Sequence, residues 1–140
     1  MEADQVEHQV DAAAQLGAGA IAFLGAELRS GIDLVLDLIG FHRAVEGADL
    51  VITGEGKIDF QSLRGKAPFG VARAAAEHGV PVVALGGIVE VAEQELRAAG
   101  FEEARALAEL EPDVERCMAE AAPLLERLAE QVGRAWASLP

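Results

Sequence analysis

Two short β-branched runs interrupt an otherwise helical rhythm. Asp49-Leu-Val-Ile-Thr53 is a β-branched run that reads as a buried strand, and Pro81-Val-Val-Ala-Leu85, apolar on both faces, predicts a second. Around them apolar residues recur at steps of three and four. From about Val10 to Leu28, the positions Ala14, Leu16, Ala18, Ile21, Phe23 and Leu24 predict a close-packed helix loosened by Gly17 and Gly19. Ser30 is placed to cap a second helix with its hydroxyl, Ile32, Leu34, Val35, Leu38 and Ile39 form one face of it, and Gly40 ends it. A short helical piece from Phe41 to Glu46 leads into the first strand. Pro68 suits a first helical position, and Val71, Ala74, Ala75 and His78 follow at helical spacing up to Gly79. A helix from about Val89 stops at Gly100, Ala104-Arg-Ala-Leu-Ala108 predicts a third, weaker strand, and Pro112 opens one long final helix through Trp136.

Strands alternating with helices of these lengths imply βαβ units and a parallel, or mixed, sheet with helices on both sides, an α/β fold in three layers. The expected organisation is one domain over 1–140, with a helical N-terminal part at 1–47 and a βαβαβα unit at 48–140. No internal repeat, low-complexity tract or linker divides it. Three parallel strands make a narrow sheet, since such sheets are normally covered on both faces. Completion by another segment, another subunit or a further part of a longer protein is therefore expected.

Composition narrows the class. Of 140 residues, 51% are hydrophobic and 25% charged, which is globular, and no apolar run approaches the roughly 20 residues that cross a bilayer. The acidic opening MEADQVEHQVD does not read as a signal peptide. Cys117 stands alone, which excludes an internal disulfide and suits a reducing cytoplasm. A formal net charge of −13 argues against nucleic acid or an anionic membrane as partner. Anions remain possible ligands where a few cations converge, and Lys57, Arg64 and Lys66 are the candidates.

Lys57 and Lys66 are the only lysines, and both fall in one stretch, Thr53 to Lys66, TGEGKIDFQSLRGK. A strand that opens into a loop with three glycines, two carboxylates and two lysines is where an open α/β sheet places its ligand. Gly54 and Gly56 let a backbone turn sharply and present N–H groups. The bland alternative is that Glu55 and Asp59 are solvated loop acids with Lys57 balancing their charge. The Gly65-Lys66-Ala67 sequence is not a Walker A loop, because its spacing and its hydroxyl are missing. His8, His42 and His78 show no ligand spacing, so no metal site is expected from them, and His78 reads as a helix end cap. Cys117 reads as packing, Trp136 as core or interface, and the glycines at 17, 19 and 25 as marks of close helix packing rather than a nucleotide loop.

The segment ADLVITGEGKIDFQSLRGKAPFG, from Ala48 to Gly70, resembles the signature of the bacterial glycerate kinases of the glyoxylate and glucarate pathways. FLGAELRSGIDLVLDLIGF, from Phe23 to Phe41, and GVARAAAEHGVPVVALGG, from Gly70 to Gly87, are similar to that family in the same order. The resemblance implies a cytoplasmic enzyme with two α/β domains facing a cleft, transferring the γ-phosphoryl group of ATP to D-glycerate with Mg²⁺. It also implies that this chain corresponds to a C-terminal portion, because family members are more than twice as long. One departure is Ala14-Gln15, where the family usually carries a Gly-Gly loop, with Gly17 kept.

Phosphoryl transfer is mostly positioning and charge neutralisation. On that reading Glu55 and Asp59 offer oxygens to Mg²⁺, or one of them accepts the proton of the glycerate hydroxyl. Lys66, just before the helix that Pro68 opens, neutralises phosphate beside a helix N-terminus. Thr53, Gly54, Gly56, Lys57, Ser62 and Gly65 would contact the nucleotide, with Gln61 and Ser62 hydrogen-bonding substrate. Two functional expectations follow: an ATP-dependent glycerate kinase activity to which this chain supplies part of the site, as a homo-oligomer or with a partner chain, or a non-catalytic module or component of a split kinase.

Overall fold

Every residue from Val82 to Gly86 is buried, and that stretch forms the middle of the sheet. The computed structural model describes residues 16–27, 29–60 and 66–138. Three strands, β1 (Val51–Asp59), β2 (Val82–Glu90) and β3 (Glu103–Ala106), lie in the order β1-β2-β3. All pairing is parallel, with Val51 opposite Val82, Asp59 opposite Glu90 and Gly86 opposite Ala106. A central strand with side chains buried on both faces has no use for polar alternation, which is why Val82-Val-Ala-Leu85 is continuously apolar.

The helices are α1 (described over 16–24), α2 (Gly31–Leu38), α3 (Phe41–Val45), α4 (Ala67–Ala76), α5 (Glu93–Ala98), α6 (Val114–Ala119) and α7 (Ala121–Ala137). One face of the sheet packs Val82 and Ala84 against Val45 of α3, Ala72 and Ala75 of α4 and Leu96 of α5. The other packs Val83 and Leu85 against Leu107, Cys117 and the α7 stripe Leu124, Leu128 and Val132. Each of those three α7 side chains contributes on the order of 1.5–3 kcal/mol by leaving water. The structure is thus the α/β sandwich of three layers that the strand–helix alternation implies.

Several boundaries differ from the sequence expectation. β1 runs to Asp59 and β2 to Glu90, so Gly54–Asp59 is strand and not loop, and Val89 belongs to β2 rather than to α5. Gly54 and Gly87 are there for close approach, not for turning. A Cβ on Gly54 would lie 2.2 Å from the Leu85 carbonyl oxygen, and one on Gly87 would lie 2.7 Å from that of Gly56. The final helix is broken at Glu120 into α6 and α7. Pro123 accounts for this, since it has no N–H for the Ala119 carbonyl and is tolerated only in a helix's first turn. Asp113 caps α6 by accepting from the Arg116 N–H at 2.9 Å.

The N-terminal helices are less buried than their pattern implies. Ser30 sits at the N-cap of α2 but its hydroxyl makes no capping bond, and Gly40 takes a left-handed φ of 69° after the helix as expected. Of the α2 positions, Leu36 is buried while Leu34, Val35, Leu38 and Ile39 are exposed. Leu16, Ile21, Phe23 and Leu24 of α1 are exposed as well, and a Cβ on Gly19 would meet nothing among the described residues. Gly25 ends α1 with φ 63°. α2 is held to α4 by Ile32, which fills the space a Cβ on Gly70 would need, and by the Arg73–Asp33 ion pair. That pair holds the Arg73 guanidinium above its ordinary pKa, through the hydrogen bond first and the charge second.

Candidate active site

β3 ends level with Gly86, so beyond that point β1 and β2 continue as a two-stranded ribbon. Something changes in the pleat at the same place. Val51, Val82 and Ala84 face the α4 side, and strict alternation would turn Ile58 and Val89 to the opposite side. Both nevertheless pack into the α4-side core. The register stays constant, so the two strands roll over together at Glu55-Gly56 and Gly86-Gly87. A Cβ on Gly86 would stand 2.8 Å from Ile58 Cγ1, so this glycine makes room for the ribbon's anchor.

A cavity of about 680 Å³ opens at this roll. Its strand side is Ile52, Thr53, Gly54, Glu55 and Gly56 of β1 with Leu85, Gly86 and Gly87 of β2. Its helix side is Leu107, Cys117, Met118, Ala121 and Leu125. The position, at the carboxyl end of the three-stranded part, is where ligands enter open α/β sheets. Gly86-Gly87 received no role from the sequence. The signal that could have found it is the second glycine pair at the end of an apolar strand, matching Gly54-Glu-Gly56 on its neighbour.

The site candidates separate into groups. Thr53, Gly54, Glu55 and Gly56 line the cavity. Lys66 is the N-cap residue of α4, and its Nζ stands 3.6 Å from Glu55 Oε1. That oxygen is closed off from solvent and accepts no hydrogen bond among the described residues. A carboxylate oxygen so placed is costly unless a cation or donor reaches it. Lys57 turns the other way: its Nζ lies 2.7 Å from Glu90 Oε2 in solvent, and that hydrogen bond, with the Glu90 charge, raises the ammonium's pKa. Asp59 is paired in register with Glu90 and does not line the cavity. Four residues of strand span about 13 Å, so Glu55 and Asp59 occupy different ends of the ribbon. Gln61, Ser62, Arg64 and Gly65 lie outside the described residues, as do His8 and Ala14-Gln15.

Two further sequence readings meet the structure here. Cys117 is buried in the core cluster and Trp136 packs partly buried against it, as their apolar stripe implied. His42 and His78, far apart in sequence, are in contact: Nδ1 of His42 lies 3.1 Å from Nε2 of His78, so the latter ring binds α3 instead of capping its own helix. Among the described residues no three His, Cys, Asp or Glu side chains come together as a metal cluster. No described helix is long and apolar enough to cross a membrane.

A magnesium ion with a nucleotide fits the residues present. Mg²⁺ needs only one or two carboxylates beside phosphate and water, and Glu55, which lines the cavity, could offer one. The glycine backbone at Gly56, where a Cβ would meet nothing, leaves room for a phosphate chain.

Comparison with known proteins identifies the family. The model of the glycerate kinase family matches residues 3–137. A glycerate kinase of Halalkalibacterium halodurans is 43% identical over 121 residues, covering 86% of this chain and 32% of that protein. The glycerate 2-kinase of Escherichia coli is 47% identical over 76 residues, covering 54% of this chain and 20% of its own length. The crystal structure of a glycerate kinase 2 from Salmonella typhimurium LT2 superposes with a TM-score of 0.57 at 34% identity, covering 88% of this chain and 32% of that one. The chain therefore spans about a third of the length of the Halalkalibacterium relative and of the Salmonella structure. With a family match across nearly its whole length, the chain belongs to the glycerate kinase family.

Proposed function

We propose that this chain supplies one wall of an ATP-dependent kinase site for D-glycerate. The observation that carries the reading is the Glu55–Lys66 pair: a sheltered carboxylate oxygen with no hydrogen bond among the described residues, 3.6 Å from an ammonium at the head of α4. Magnesium, when bound with ATP, supplies charge neutralisation of the transferring phosphoryl group. In this reading Glu55 would hold the metal and Lys66 faces phosphate oxygens at the N-terminus of α4. Thr53 and the backbone of Gly54 and Gly56 orient the nucleotide. Asp59, too far along β1 to share one ion with Glu55, accepts the proton of the attacking glycerate hydroxyl. Lys57 holds the ribbon through Glu90.

A second reading is that the chain acts as one component of a split kinase or as a non-catalytic module. A third of a relative's length provides one side of a cleft, and phosphoryl transfer needs both sides to place the acceptor and exclude water. Calorimetric titration with Mg-ATP and then D-glycerate separates the two. Nucleotide binding abolished by Lys66→Ala, without glycerate binding, supports the one-wall site. In an assembled, active complex, Lys66→Ala and Asp59→Asn should each lower kcat at least tenfold with circular dichroism unchanged. Full activity in both variants would remove these residues from the mechanism.

A further inference from the structure

Building on the kinase reading, we propose that the helix side of the cavity, formed by Leu107, Cys117, Met118, Ala121 and Leu125, is the seat of the nucleotide's heterocyclic base. The two sides of the cavity differ in chemistry. The helix side presents only aliphatic and sulfur groups. The strand side carries Thr53, Glu55 and glycine backbone, with Lys66 beyond it on Glu55. D-glycerate has an oxygen on every carbon and gains nothing from the apolar side. A nucleotide is divided in the same way as the cavity, with an apolar planar ring at one end and anionic phosphates at the other.

Size and exposure point the same way. A volume of about 680 Å³ lies within the range of small-molecule pockets, about 300–1,000 Å³, which are mostly apolar with a few convergent polar groups. Met118 lines this cavity yet is 74% exposed, and Leu125 beside it is 45% exposed. A thioether is suited to the edge or face of an aromatic ring, and a ring laid on this side would take both residues out of water. Cys117, buried at the floor, has no role in packing that requires sulfur.

The chain carries its own reporter. Met118 is one of two methionines, the other being Met1. In protein labelled with ¹³C-methyl methionine, adenosine, which has no phosphate, should move the Met118 methyl resonance saturably, and inorganic triphosphate should leave it in place. Leu125→Gln, at a half-exposed position, should weaken adenosine binding about tenfold, the scale of losing an apolar contact in a pocket. Cys117 is the sole cysteine, so slower alkylation by N-ethylmaleimide in the presence of adenosine checks the same contact without any variant. A Met118 resonance indifferent to adenosine overturns the assignment. So does one that moves on diluting the protein without ligand, which would mark the surface as a contact between copies. If triphosphate binding still depends on Lys66 while Met118 is silent, the base assignment fails and the kinase reading stands. If adenosine moves Met118 while Lys66→Ala leaves triphosphate binding unchanged, the reverse holds.

Discussion

From Val51 to Gly54, β1 lies against a stretch of β2 that is buried throughout, whereas from Gly56 to Asp59 the same pair runs past the end of β3 with Lys57 and Glu90 in solvent. Register and partner strand are unchanged between the two stretches. What differs is the cover: in the first, β2 is buried between helices on both faces, and for the second there is one buried anchor, Ile58, 1% exposed in the α4-side core. The β2 side of the first stretch, Val82 to Ala84, is specified by apolar burial and carries no chemistry. The second is held by one buried side chain, with Lys57 paired to Glu90 in solvent. The site sits at the join.

The strongest way to break this division is through the glycine at the end of the buried stretch. Gly54→Ala places a methyl group 2.2 Å from a backbone oxygen of the neighbouring strand, where no side chain can give way. We expect a loss above about 4 kcal/mol, the range reserved for named structural failures, against about 0.5 kcal/mol or less for Gly56→Ala, whose Cβ would meet nothing. Urea denaturation of the two variants measures the gap. Equal effects would mean that the two stretches are not packed differently. A smaller loss, about 3 kcal/mol, is expected for Ile58→Ala, the usual cost of emptying a fully buried aliphatic site. If Ile58→Ala were as mild as a surface change, the ribbon would have some other anchor.

The same contrast explains what could be read from the amino acids. Val82–Leu85 and the Leu124, Leu128 and Val132 stripe were legible because burial imposes a period on apolar residues. Gly54, Gly56, Gly86 and Gly87 carry the opposite information in a form sequence cannot separate. Glycine permits both a turn and a close interstrand contact, and the contact is set by a strand about thirty residues away. That ambiguity turned an extended ribbon into an expected loop. The chemistry-bearing types in Thr53–Lys66 were nevertheless identifiable, and Glu55 and Lys66 do meet, while the diversion of Lys57 to Glu90 depended on a partner outside the segment. For α2 the apolar pattern reads as a face and for α1 as close packing, but Phe23, Leu24 and Leu38 are largely exposed among the described residues. Periodicity reports that a face is apolar and is silent on which polypeptide buries it.

The smallest expected effect concerns the exposed pair of the ribbon. Glu90 raises the Lys57 pKa by accepting its hydrogen bond and by its charge. A group whose pKa is higher folded than unfolded adds stability that is complete below its unfolded value and disappears as pH rises through the folded one. Lys57→Met should therefore lower Tm slightly near neutral pH, and the difference from the parent chain should close in strongly alkaline solution. Raising the salt concentration should narrow the difference as well, because both partners are in water. A gap that persists at alkaline pH would show that the lysine stem packs on the ribbon. A Lys57→Met loss as large as that of Ile58→Ala would show that charge, not the buried anchor, fixes the ribbon, and would erase the distinction between the two stretches.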